Sequence, residues 1–139
     1  FHTFAALPQS CAASAEVLRI LREEKLCERV NPLGEKILQK LNAEIGQHPN
    51  VAEVRGKGLL IGIEIVEDKA SLKPFDESKK ITGQIMQKGL EMGVFLYPGG
   101  TGTYRDIICL GPAFTIGDEE IELMVKVLRN SINAVVQNN

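Results

Sequence analysis

The sequence predicts an α+β domain of two layers, in which a small and mainly antiparallel sheet is backed by helices. The predicted elements follow in the order helix, helix, strand, strand, helix, strand, strand, helix, which is typical of this class. Residues 59–66 alternate between an apolar face and a mixed face, as a sheet covered on one side requires. The 139 residues, 44% of them hydrophobic and 24% charged, suffice for one globular domain.

Two helices are predicted before the sheet. The first covers about 11–25, where alanines and apolar residues recur at helical spacing. The second covers about 33–45, and Gly46 after it is expected to be left-handed. Its start is ambiguous, because Pro32 fits the first helical position, whereas a helix that begins near Leu26 and contains Pro32 also fits the pattern.

The sheet is predicted from four short segments. The strongest is 59–66, and 51–54, 94–97 and 107–110 are shorter. The segment 55–58, with two glycines, is predicted to be a break between the first two strands. One face of the strongest strand is entirely apolar, since it carries Leu59, Ile61, Ile63 and Ile65.

The remaining helices follow the first and the last pair of strands. A helix is predicted over 77–92, with Gly93 as its terminator, and Pro98 is predicted to end the strand after it. The last helix is expected to begin with Asp118 as its N-cap, since acidic residues follow in the first turn.

Charge and composition exclude several classes of function. Lys and Arg number 16 and Asp and Glu 18, so the net charge of −2 gives no electrostatic footprint for nucleic acid. Neither a transmembrane segment nor a signal peptide is visible, so no membrane partner and a cytoplasmic location are expected. The three cysteines show no metal-ligand spacing and are interpreted as free thiols in a reducing compartment.

A few residues could carry chemistry by themselves. The glycine-rich segments 56–58 and 99–102 could hold a phosphate, but both lead into strands, so tight turns are the favoured interpretation. Glu64 could be a functional carboxylate or could pair with a nearby arginine. Arg55 and Lys57 could bind an anion or lie in a solvated turn. On these residues alone, the chain is an α+β domain without a self-sufficient active site.

Several segments, taken together, resemble one known family. The segment Val54–Glu64 closely resembles the strand-turn-strand signature of the small domain of class III aminotransferases, which are pyridoxal-phosphate enzymes of fold type I. Further segments resemble that family in the same order along the chain: 2–4 with 10–13, 48–51, 93–94, 97–100, 107–112, 115–116 and 119–121.

The resemblance implies a C-terminal domain of a larger enzyme that moves an amino group from an amine or amino acid to a 2-oxo acid. Residues 1–25 would be the end of the large-domain segment with the connecting helix, and 26–139 the small domain. Thr3 matches a threonine that binds the phosphate of pyridoxal phosphate in the neighbouring subunit, which implies a homodimer. Arg105 lies near a position where some members bind the substrate carboxylate.

The same resemblance implies that the chain alone is inactive. The lysine that holds the cofactor as a Schiff base lies upstream in this family, so we expect an upstream large domain as a partner. Two alternatives remain open. One is a stand-alone α+β interaction or ligand-sensing module without catalysis, and the other is a nucleotide-binding domain that uses the loop 99–102.

Overall fold

The computed structural model describes residues 7–102 and 105–137. Within these ranges there are four α-helices, four strands and a 3₁₀ turn before the third helix. In chain order they are α1 (Pro8–Glu23), α2 (Leu26–Ile45), β1 (Val51–Lys57), β2 (Leu60–Ile65), the 3₁₀ turn (Glu77–Lys79), α3 (Ile81–Glu91), β3 (Tyr97–Pro98), β4 (Ile107–Leu110) and α4 (Asp118–Val136).

The four strands form one sheet in the order β1-β2-β4-β3, and every neighbouring pair is antiparallel. The predicted α+β class is therefore confirmed. The inner face of the sheet carries Ile61, Ile63 and Ile108, each of them 0% exposed. The helices that cover this face contribute Ile37, Leu41 and Ile45 from α2, Ile81 and Ile85 from α3, and Ile121, Leu128 and Ile132 from α4.

The outer face of the sheet is the opposite one, and the strand register defines its rows. Cα partners place Lys57 beside Leu60 in the first row and Glu53, Glu64 and Ile107 together in the third. The middle row runs across all four strands through Arg55, Gly62, Cys109 and Tyr97. These side chains are exposed or half-buried, so the predicted contrast between an apolar and a mixed face is confirmed.

The hairpin that joins β1 to β2 is tighter than predicted. The segment 55–58 is not a break, because residues 55, 56 and 57 pair with Gly62, Ile61 and Leu60. Only Gly58 has a positive φ, of 55°, so the reversal is confined to the two residues between the strands. Ladder hydrogen bonds thus extend the strand through glycine, which sequence propensity disfavours.

Helix α2 settles the ambiguity around Pro32 in favour of the longer helix. It begins at Leu26, after a left-handed Lys25 with a φ of 52°, and Pro32 lies inside it. Burial of Leu26 favours this early start. The prediction that Gly46 is left-handed is wrong, since its φ is −61°. The right-handed turn continues there, because the Gly46 N–H still donates to the Asn42 carbonyl.

The segment around α3 differs from the prediction at both ends. Lys80 is left-handed, with a φ of 46°, and separates the 3₁₀ turn from α3, so 77–92 is not one helix. The strand predicted over 94–97 is also displaced, since β3 comprises Tyr97 and Pro98. Val94 is held instead at the end of α3, where its N–H donates to the Gly89 carbonyl.

Helix α4 is capped differently from the prediction. Gly117, and not Asp118, is the N-cap residue, and the Glu120 carboxylate accepts a hydrogen bond from the Gly117 N–H at 3.0 Å. Asp118 forms an ion pair with α2 instead. Three ion pairs join α2 to α4: Lys36–Asp118, Lys40–Glu122 and Glu44–Arg129. The residue numbers rise together on both helices along this series, so α2 and α4 run parallel.

Candidate functional site

The loop before β4 and the start of α3 meet at a buried carboxylate. Asp106 is only 7% exposed, because it lies on the same side of the chain as the inward-facing Ile108 and Leu110. Its Oδ1 accepts a hydrogen bond from Thr82 Oγ1 at 2.9 Å. Its backbone carbonyl accepts one from the N–H of Ile65 at 2.7 Å. The loop before β4 is thereby fixed to both α3 and β2.

Arg105, the residue predicted to bind a substrate carboxylate, precedes this anchor and is half-buried. Its Nη2 donates to the Phe75 carbonyl at 2.8 Å, and its Nη1 donates to the Gly102 carbonyl at 3.4 Å. These bonds join the loop before β4 to the loop before the 3₁₀ turn. A guanidinium has five N–H donors, and these two bonds use only two of them. The substrate role of Arg105 stays a prediction.

Asp76 adds a negative charge close to Arg105. It caps the 3₁₀ turn by accepting hydrogen bonds from the hydroxyl (2.5 Å) and the backbone N–H (2.9 Å) of Ser78. The bond from the Ser78 hydroxyl is the main cause of a lowered pKa of Asp76, and the positive charges of Arg105 and Lys79 lower it further. The loops around Arg105 therefore combine a fixed cation with an ionised carboxylate.

A second group of charges lies on the outer face of the sheet. Arg55 Nη1 donates to Glu64 Oε2 at 2.7 Å and to Glu53 Oε2 at 2.8 Å. The hydrogen bond to Glu64 is the main cause of the raised pKa of Arg55. Glu64 therefore pairs with a nearby arginine, which was one of its two predicted roles. Because Arg55 already serves two carboxylates, an anion would have to compete with both of them.

A separate apolar groove lies at one end of the sheet, where β2 begins, β4 ends and α4 contributes to the lining. Its volume is about 340 Å³. Phe95 and Tyr97 border it with an edge-to-face contact, their ring centroids 6.4 Å apart. Further lining comes from Leu60, Leu110, Pro112 and Met124. Sequence analysis did not single out this groove, because Phe95 belongs to no strand and its exposure depends on the path after α3.

The remaining predicted candidates are Thr3 and the two glycine-rich segments. Thr3 lies outside the described residues, so its role stays a prediction. His48 bridges the turn after α2 to α4, because its Nε2 lies 2.9 Å from Asn133 Oδ1 and its Nδ1 accepts from the Asn50 N–H at 3.0 Å. The segment 56–58 lies in the β1–β2 hairpin, and the segment 99–102 follows β3.

Cysteines and acidic residues give no metal centre in the described part of the chain. Residues 7–102 and 105–137 contain no group of three or more potential ligands close enough to hold an ion. Cys11 and Cys27 are exposed free thiols, and Cys109 is half-buried and also free. None of the helices described is both long and apolar enough to cross a membrane.

Comparison with known proteins relates the whole domain to one family of enzymes. The sequence profile of the family described as Aminotransferase class-III matches residues 2–132. An uncharacterized aminotransferase of Schizosaccharomyces pombe is 40% identical over 98% of this chain. The 4-aminobutyrate aminotransferase of Escherichia coli is 30% identical over 97% of it, and a hypotaurine/taurine–pyruvate aminotransferase of Paracoccus denitrificans is 31% identical over 96%.

Solved structures agree with this relationship. A Bacillus anthracis aminotransferase superposes with a TM-score of 0.87 at 36% identity over 96% of this chain. A PLP-bound aminotransferase mutant from Vibrio fluvialis superposes with a TM-score of 0.83 at 26% identity over 92%. This domain is thus one that occurs in pyridoxal-phosphate-dependent transaminases.

The chain belongs to the class III aminotransferase family. It spans about 30% of the length of the first two relatives, 29% of the third, and 30% and 27% of the two solved chains. The resemblance inferred from the sequence is therefore confirmed at the level of the family.

The described residues do not form a complete site for pyridoxal phosphate. A Schiff base needs a lysine in a protected pocket, but the half-buried lysines are engaged elsewhere: Lys40 with Glu122, Lys79 with Glu67, and Lys69 with the Gly46 carbonyl. The other described lysines are exposed. The buried Asp106 already accepts the Thr82 hydroxyl. No chemical step is therefore assigned to the cofactor on this chain.

Proposed function

We propose that this chain is the C-terminal small domain of an enzyme that transfers an amino group from an amine or amino acid to a 2-oxo acid. The observation that carries the proposal is the family match over residues 2–132, together with the superposition on solved aminotransferases. Relatives that are at least 30% identical are named for an amino donor, 4-aminobutyrate, and for an acceptor, pyruvate. Pyruvate is a 2-oxo acid, which supports that class of acceptor.

In this proposal the domain contributes substrate recognition rather than the reactive amine. Arg105 is the residue we assign to the substrate carboxylate, because a guanidinium matches a carboxylate with two parallel hydrogen bonds. The Phe75 and Gly102 carbonyls hold it in place, and the buried Asp106 fixes the backbone beside it. Such a preorganised cation reduces the entropy lost when substrate binds.

The remaining parts of the proposal concern the complete enzyme. Pyridoxal phosphate is its cofactor, and the Schiff-base lysine comes from a large domain that precedes this region. Thr3 binds the cofactor phosphate across a homodimer interface. The chain by itself is expected to be inactive, since the lysines of its described part are exposed or engaged with other groups.

The test uses the complete enzyme that contains this chain. Amino transfer from 4-aminobutyrate or taurine to pyruvate is measured as formation of alanine or of the aldehyde derived from the donor. Arg105→Ala should raise the KM for the carboxylate substrate by roughly 10- to 100-fold, because a lost charge-assisted hydrogen bond costs about 1.5–3 kcal/mol. Arg19→Ala is the matched control, because Arg19 forms exposed ion pairs with Glu16 and Glu23 on α1.

Two results would contradict parts of this proposal. An unchanged KM in Arg105→Ala would remove the assignment of that residue while leaving the enzyme intact. A complete protein that binds no pyridoxal phosphate and transfers no amino group from any primary amine would favour the stand-alone module without catalysis.

A further inference from the structure

The hydroxyl of Thr82 lies where α3 meets the loop before β4. Thr82 is the second residue of α3 and is half-buried. Its Oγ1 lies 2.9 Å from Oδ1 of Asp106 and 3.4 Å from the backbone carbonyl oxygen of Arg105. A hydroxyl has one proton to donate, and the shorter contact, with Asp106, receives it. One side chain of α3 therefore contacts two successive residues of the loop.

The hydrogen bond between Thr82 and Asp106 restrains this loop strongly. Asp106 is buried, and a buried carboxyl group needs hydrogen-bond partners in place of the water that it has lost. The backbone of Asp106 is held at the same time, because its carbonyl accepts the N–H of Ile65. With its side chain and its backbone both held, Asp106 restricts the position of the peptide unit that joins it to Arg105.

The far end of the Arg105 side chain is held by a different segment. Its Nη2 donates to the Phe75 carbonyl at 2.8 Å, and the Phe75 side chain is part of the core cluster. A long arginine side chain has many rotamers, so this bond defines the direction of the guanidinium only when the backbone of Arg105 is also fixed. The contacts of Thr82 with this part of the loop help to supply that second restraint.

We propose that Thr82 is a positioning residue for Arg105 and acts through the hydrogen bond with Asp106; the inference rests on the proposed function, in which Arg105 binds the substrate carboxylate. Thr82 holds the loop before β4 so that the guanidinium is already oriented when the 2-oxo acid arrives. Such preorganisation reduces the entropy lost on binding. Because Thr82 acts through the loop, its loss should weaken substrate binding and leave the chemical step unchanged.

Steady-state kinetics of the complete enzyme, with pyruvate as the acceptor, test this role. Thr82→Val keeps the shape of the side chain but removes the hydroxyl. It should raise the KM for pyruvate about 3- to 10-fold, the range that one hydrogen bond typically contributes, with kcat unchanged. Thr82→Ser keeps the hydroxyl and should restore the KM of the wild type. Ile85→Val shortens a buried side chain of α3 and is the control for lost stability alone, so its KM should not change.

A double-variant cycle shows whether Thr82 acts through Arg105. If it does, Thr82→Val should raise the KM in the wild-type background and have no further effect in the Arg105→Ala background. Equal increases in the two backgrounds would overturn the positioning role. An unchanged KM in Thr82→Val, or a similar increase in Ile85→Val, would overturn it as well. If Thr82→Val does not fold, Thr82→Ala removes the same hydroxyl and is compared in the same cycle.

The cycle also separates failure of the positioning role from failure of the proposed function. A raised KM in Arg105→Ala together with an unchanged KM in Thr82→Val would overturn the role of Thr82 and leave the substrate role of Arg105 intact. An unchanged KM in Arg105→Ala would overturn both roles. A complete protein that transfers no amino group would overturn the proposed function and the role of Thr82 with it.

Discussion

The two faces of the sheet show how the same alternation of residues leads to opposite outcomes. Leu60 and Ile61 are neighbours in β2, yet Leu60 is 71% exposed and Ile61 is 0% exposed. The difference lies in what covers each side chain, since α2, α3 and α4 supply the apolar partners of the inner face. Burial is therefore decided by tertiary cover, and strand propensity does not distinguish the two faces.

The faces also differ in the kind of interaction that holds them. The inner face depends on close packing, in which each lost methylene leaves a cavity. The outer face carries the ion pairs of Arg55 and exposed apolar side chains such as Leu60 and Tyr97. Substitutions on the two faces should consequently differ several-fold in their effect on the free energy of unfolding.

The largest effect is expected from Ile63→Ala in the middle of the inner face. Ile63 is 0% exposed and belongs to the core cluster, so its truncation removes buried apolar surface and leaves a cavity. The free energy of unfolding should fall by about 2–5 kcal/mol, measured by urea denaturation of the chain. Leu60→Ala is the control, with an expected change within about 0.5 kcal/mol. Similar losses for both variants would break the comparison of the faces.

A smaller loss is expected from Gly34→Ala, where α2 approaches the hairpin between β1 and β2. A Cβ atom at position 34 would lie 2.1 Å from the Gly58 carbonyl oxygen, so α2 or the hairpin must move. Overpacking of this kind costs about 1–3 kcal/mol. Gly83→Ala is the matched control, because it also lies in a helix and nothing approaches its Cβ position within 4 Å. Equal or higher stability of Gly34→Ala in urea denaturation would contradict this close approach.

The smallest effect is expected from Arg55→Ala on the outer face. Arg55 is exposed, and exposed ion pairs contribute about 0–1 kcal/mol. The hydrogen bond from Arg55 to Glu64 raises the pKa of Arg55, so the guanidinium of this residue stays charged near neutral pH. Thermal unfolding at low and high salt measures the effect, and salt should reduce the difference from the wild type. A loss above 3 kcal/mol would show that the outer face is not held by surface pairs alone.

Much of the fold followed from periodicity alone. The alternation of 59–66 identified the inner face, and the strand 107–110 was predicted at its observed bounds. Errors, and the two alternatives left open at Pro32, occurred where tertiary hydrogen bonds or packing overrule a local rule. Gly56 lies within a strand because Ile61 pairs with it, and Pro32 lies within α2 because the helix must start early enough to bury Leu26.

The candidate site was less predictable than the fold. Arg105 was identified through resemblance, but its partners Phe75 and Gly102 lie 30 and 3 residues away, at positions that no periodicity connects. Asp106 was not identified as a buried anchor. Asp106 lies two residues before the inward-facing Ile108 and therefore on the same side of the strand, and this spacing could have revealed its burial. A carboxylate on an apolar face also needs a hydrogen-bond partner, and the fold brings Thr82 to it from a distant part of the chain.

The position of α4 in the chain has a consequence for biosynthesis. This helix provides the last cover for the inner face, through residues such as Ile121, Leu128 and Ile132. Until the ribosome has produced that segment, the central isoleucines of β2 face water or a chaperone, and the nascent sheet is prone to association with other chains. Translation speed through 118–136 should therefore influence the yield of folded protein more than speed through 8–23, where no residue becomes buried.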